Sequence, residues 1–156
     1  MKTAKKVLLI LLTTLVAAIG ITAVTDTSRG CATVYVDLGP LGDGSKSVSC
    51  ISIDSKTPAL TVLQSAGYSL EGTEKYGNAI VCRVNGLPDA TTEKCLDMPP
   101  EEAYWAVLVK SKQLIPLPYN LGSPWGWAQT GIDEVYLNPG DSIGLVFADN
   151  GEVVFP

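Results

Sequence analysis

The chain contains no histidine. That absence excludes Ser-His and Cys-His nucleophilic catalysis and every imidazole metal site. No Cys-x-x-Cys pair occurs either, so the four cysteines at 31, 50, 82 and 95 do not have zinc-ligand spacing. The glycines form no Gly-Lys-Ser/Thr and no Gly-x-Gly-x-x-Gly, which removes the common phosphate-cradling loops. Asp133, Glu134 and Asp141 lie close together but lack the regular oxygen-ligand spacing of a calcium loop, and they read as solvated turn acids. Glu101 and Glu102 read as a helix start or a strand edge. No catalytic constellation and no cofactor are expected.

Acidic residues are missing from the first 25 positions. Lys2, Lys5 and Lys6 precede an uncharged apolar run, "VLLILLTTLVAAIGITAV", over 7–24. A basic head and an apolar run form a secretory or anchoring signal. At 18 residues the run would make a helix of roughly 27 Å, about one hydrocarbon core. The small-residue sites at Val16-Ala17-Ala18 and Ile21-Thr22-Ala23 are only passable for cleavage. An uncleaved single-pass anchor over 1–24, amino end inside, is therefore favoured over a cleaved signal that would leave a secreted protein. Residues 25–30 read as a linker, and 31–156 as one extracellular domain.

Three of the eleven Lys and Arg residues precede the run, so the exported part sets eight against sixteen Asp and Glu, a formal charge of −8. Such an acidic surface excludes nucleic acid as a partner. An even cysteine count in an oxidising compartment reads as two disulfides. "CATVYVDL" (31–38) and "KSVSCISID" (46–54) alternate around the turn "GPLGDG", and closing that hairpin brings Cys31 toward Cys50. Cys82 and Cys95 then close the loop that holds Asn85, Gly86 and Pro88.

The helix signal lies in "TPALTVLQSAG" (57–67), with Thr57 as cap, Pro58 in the first turn, Leu60, Leu63 and Ala66 on one face, and Gly67 at the end. Strands follow at 78–84, 103–110 and 143–148. Asn150-Gly151 and "EVVF" (152–155) predict a closing hairpin. The stretch 111–141 is irregular. This order predicts an α+β fold with a mixed or antiparallel sheet and one short helix, best matched by a β-grasp-like arrangement.

"AGYSL…YGNAIVCRVNGLP…C…PPEEAYWAVLV" resembles small secreted proteins of Gram-positive actinobacteria. "AYWAVLV…GWAQTGIDEVYLNPGDSIGLVF" is similar to the carboxy-terminal module of transcobalamin and intrinsic factor. Together the resemblance spans roughly residues 57–147. It implies an exported β-grasp-like module that accompanies vitamin or cofactor uptake. In the transcobalamin proteins this module closes over a corrinoid held by a separate helical domain, of which no counterpart is read here. A corrinoid-like ligand is the expectation that follows.

All three tryptophans fall in two short stretches, Trp105 beside Tyr104 and the pair Trp125-Gly126-Trp127 after Pro124. One reading makes Trp105 core and folds the Trp-Gly-Trp loop back over the sheet. The other makes Tyr104, Trp105, Trp125, Gly126 and Trp127 a platform for a ring or a protein partner, with Gly126 allowing close approach. The two readings can share residues. The function expected is therefore non-catalytic binding beside a cofactor uptake system. The alternative is a structural accessory subunit of a membrane protein complex, anchored by 7–24 and covering its extracellular face, with Ala17, Ala18, Gly20 and Ala23 aiding helix packing.

Overall fold

The computed structural model describes residues 30–111 and 124–156. The anchor or signal over 7–24, and all of the linker except Gly30, lie outside the described residues. No helix among the described residues is long and apolar enough to cross a membrane.

Strands β1 (Cys31–Asp37) and β2 (Lys46–Ser52) form the hairpin that their alternation predicts, with seven paired positions from Cys31↔Ser52 to Asp37↔Lys46. A 3-10 turn over Gly39–Gly42 joins them, with Pro40 in its first turn. The hairpin sets Cys31 and Cys50 5.5 Å apart at Cα, and the disulfide joins them. Cys82 is joined to Cys95. Both pairings are those predicted from hairpin closure and the short loop. Two disulfides and no free cysteine fit an extracellular or secreted protein.

The chain then crosses over. Thr57 and Pro58 form a two-residue strand, β3, which pairs with β8 (Tyr136–Leu137). The helix α1 therefore runs only over Ala59–Ser65, and Thr57 does not cap it: its hydroxyl donates to the Ser55 carbonyl at 2.8 Å. Pro58 is extended, with φ −57° and ψ 136°, because its pairing with β8 outcompetes a first helical turn. The buried face is Ala59, Val62 and Leu63, with Leu60 and Ala66 at its margin, a correction of the predicted stripe by about one position. Gly67, at φ +90°, ends the helix in a conformation that L side chains rarely adopt.

Strand β4 (Leu70–Thr73) and β5 (Gly77–Val84) form a bulged antiparallel pair. Strands β6 (Trp105–Lys110), β7 (Gly126–Trp127) and β9 (Ser142–Phe147) complete a five-stranded sheet in the order β2-β1-β9-β6-β7. β1 and β9 run parallel, and the other neighbours run antiparallel. Every residue of β9 is buried, as a central strand covered on both faces requires. Among the described residues the architecture is mixed α+β, mostly sheet with one short helix.

The predicted closing strand over 152–155 does not form. Asn150 and Gly151 make the turn, but pairing stops at one bridge, Asp149↔Glu152. β9 already has β1 on one edge and β6 on the other, so a returning chain finds no free edge. Val153 and Phe155 pack on the sheet face instead.

The sheet separates two cores. Val34, Val36, Ile143, Leu145 and Trp105 face α1 with Val62 and Leu63. Ala106, Leu108 and Val146 face the other way, under Trp125.

Candidate functional site

Strand alternation divides the aromatic residues. Trp105 points into the helix-covered core, donates its Nε1–H to the Leu87 carbonyl at 3.0 Å and meets Phe147 edge-on at 5.3 Å. Tyr104, one position earlier, lies on the opposite side of the sheet.

The Trp-Gly-Trp stretch covers that second side. Trp125 is 7% exposed and lies over Gly144 of β9, with its ring tilted against Tyr35 at 6.2 Å. Gly126 is buried in β7 opposite Val109. Trp127 sits opposite Leu108 but remains half-buried. Its ring stacks on Tyr104 at 6.5 Å and 26°, and Phe155 meets it edge-on at 6.0 Å. One tryptophan of the pair is thus a cover and the other is part of an open face.

β7 ends at Trp127, and Ala128 adds one last bond from its N–H to the Val107 carbonyl. Beyond that point the chain diverges from β6, and a cleft of about 670 Å³ opens between β6, β5 and the 98–102 loop. Tyr104, Trp105 and Trp127 line it, so three of the five aromatic-surface residues come together, while Trp125 and Gly126 lie outside. Ala79, Ile80 and Val81 add an aliphatic wall, and Met98, 59% exposed, stands at the rim. Among the described residues, the charged members of the lining are Glu101 and Glu102. The cleft has the size and mixed lining of a small-molecule site. It presents flat aromatic surface, a polarizable thioether and two carboxylates.

Sequence reading missed Met98 and the 79–81 wall. The available signal was an exposed "LDM" in an otherwise polar loop, where Leu96 and Met98 are both large, apolar and exposed. Glu101 and Glu102 belong neither to a helix nor to a strand; they form a turn at the cleft.

The loop that follows β5 is held by Arg83, a buried side chain on that strand. Its Nε donates to the Pro88 carbonyl at 3.0 Å, an Nη donates to the Glu93 carbonyl, and the other pairs with Glu71 at 2.6 Å. Asp89 accepts bonds from Thr91 and Thr92, which lower its pKa to about 2. Across the sheet, Asp37 is buried. Burial works to raise its pKa, but the Lys46 ammonium at 2.8 Å, the Gly39 N–H at 2.9 Å and the Tyr35 hydroxyl outweigh this and hold it below the usual value. Asp141 accepts from the backbone and side chain of Asn138, as a turn acid does. Among the described residues no three His, Cys, Asp or Glu side chains gather as metal ligands.

No protein-family model, curated protein or solved structure matches the chain.

Proposed function

We propose that the chain is an exported, non-catalytic binding domain of β-grasp-like form whose cleft beside β6 captures a flat, largely apolar ring, and that it serves a cofactor uptake system. The β-grasp reading is supported by the opening hairpin, the crossover helix and the parallel β1–β9 pair at the centre of the sheet. The binding reading rests above all on Trp127, which stays half-buried and stacked on Tyr104 at the mouth of a cleft of about 670 Å³. A corrinoid-like ligand follows from the transcobalamin resemblance, and residues 7–24 would hold the domain at the outer membrane surface as a single-pass anchor.

Titrating the full chain with cobinamide while following tryptophan emission tests this. Saturable quenching in the wild type that weakens at least about tenfold in Trp127→Ala supports the proposal. No saturable quenching, or equal affinity in both proteins, overturns it.

A second reading is favoured by Leu96 and Met98, large apolar side chains exposed at 56% and 59% in the loop beside the cleft. Apolar groups clustered on an outer surface suit a protein contact. In that reading the domain is an accessory subunit covering the extracellular face of a membrane complex. Co-purification from gently solubilised membranes, lost in a Leu96→Ser/Met98→Ser variant, distinguishes it from ligand capture.

A further inference from the structure

Strand β2 is an outer edge of the five-stranded sheet, and no strand flanks it among the described residues. Its ladder with β1 is regular over all seven positions, without a bulge. The Ser45 carbonyl accepts from Leu38, and the Ile53 N–H donates to Gly30. Ladder bonds alternate, so the odd-numbered residues of β2 turn their backbone groups toward β1. Lys46, Val48, Cys50 and Ser52 therefore turn N–H and C=O groups outward, and all four residues are exposed.

Sheet edges are normally blunted by proline, bulges, very short strands or inward charges. The other side of this sheet shows such devices: β7 has two residues and closely follows Pro124. β2 has none of them. Its one charge, Lys46, stands at the end and is tied to Asp37 at 2.8 Å. At its centre Val48 is 66% exposed.

We propose that β2 pairs antiparallel with β2 of a second copy of this chain, about a two-fold axis through Ser49, joining two five-stranded sheets into one of ten. This register alone pairs all seven residues and sets every outward-turned backbone group against another. Lys46 faces Ser52 of the second copy, and Val48 faces the disulfide-held Cys50. No like charges are opposed, and Asp54 of each copy lies two positions beyond Ser52, diagonal to the other copy's Lys46. The axis residue supplies a second, independent observation. The Ser49 hydroxyl oxygen is buried and has no hydrogen-bond partner. Turned about χ1 toward the axis, it meets the same hydroxyl across a non-hydrogen-bonded pair, where side chains come closest and Ser–Ser bonds form, and so gains the partner it lacks within its own chain. An isologous contact is closed, so the assembly stops at two copies.

The full chain in mild detergent tests this by sedimentation velocity over a concentration series, with Val48→Lys and Ser49→Cys variants. The wild type should show a monomer–dimer equilibrium. Val48→Lys changes an exposed side chain twice per dimer and should weaken association about tenfold while the monomer keeps the wild-type circular dichroism spectrum. Ser49→Cys should form a covalent dimer on mild oxidation, with peptide mapping finding the two introduced thiols joined to each other and the native disulfides intact. A monomeric wild type, a dimer that Val48→Lys leaves unchanged, or no crosslink between the introduced thiols overturns the proposal. So does a different protein, rather than a second copy, on this edge.

Discussion

Trp125 lies across Gly144. A Cβ added to that glycine would stand 3.2 Å from the tryptophan ring and 3.4 Å from Leu108. The central strand carries no side chain there because the ring supplies the apolar cover. Gly144→Val is expected to lift the ring and destabilise the domain by about 1–3 kcal/mol. Trp125→Ala removes the cover itself and should cost about 3–5 kcal/mol. Urea unfolding of the two variants checks both values. If Trp125→Ala costs less than about 1 kcal/mol, the ring is not part of the core.

The two disulfides should differ in reactivity. Cys50 is exposed on the edge strand, whereas Cys82 and Cys95 are 2% and 5% exposed. Thiol–disulfide exchange needs access to sulfur. Mild reductant followed by alkylation and peptide mass analysis should label Cys31 and Cys50 first. Labelling of Cys82 and Cys95 ahead of them contradicts this. Cys82→Ser/Cys95→Ser frees a short loop that spans 13 positions and should cost about 3 kcal/mol.

Acid should unfold the domain through carboxylates held below their ordinary pKa. Burial raises that of Asp37, but Lys46, Gly39 and Tyr35 bring it below the usual value, and Thr91 and Thr92 bring Asp89 to about 2. In the unfolded chain both protonate near pH 4. The folded state therefore holds fewer protons, and its advantage is complete above about pH 4 and lost as pH falls through the folded values. Denaturation midpoints should be level down to about pH 5 and then fall, less steeply in Asp37→Asn/Asp89→Asn. An equal slope in that variant means that other groups carry the acid transition.

Hairpin alternation and turn chemistry were enough to read β1, β2 and both disulfides, because these depend on neighbours in sequence. The same rules misplaced the start of α1 and missed β3, β7 and β8. Two-residue strands such as Thr57–Pro58 exist only because Tyr136–Leu137, nearly 80 positions away, pairs with them. β4 was hidden by the register shifts on either side of Gly72, which break its alternation. In the cleft, Tyr104, Trp105 and Trp127 were legible as an aromatic set, the first two on a predicted strand and the third in a stretch read as a loop. The Ala79–Val81 wall and Met98 were not, because only the crossover from β5 to β6 brings them beside Trp127.

Tyr104 and Trp127 should act as one unit. Their rings stack at 6.5 Å across the β6–β7 pair, with Phe155 edge-on behind. Trp127 is only half-buried, so Trp127→Ala should cost less than the buried Trp125 change, about 1–2 kcal/mol. Tyr104→Ala removes the partner of the same stack, and the double variant should fall short of the sum of the two by about 0.5–1.5 kcal/mol. A double-mutant cycle in urea measures that coupling. If the costs add without remainder, the rings only share a surface and do not support one another. Ligand capture gives an independent reading of the same variants. Tyr104→Ala leaves the Trp127 ring in place but unbraced, so cobinamide binding should weaken, though less than in Trp127→Ala. A Tyr104→Phe variant, which keeps the stacked face, should restore both the coupling and the affinity. Failure of Tyr104→Phe to restore either would mean that the Tyr104 hydroxyl, not its ring, is what the cleft uses.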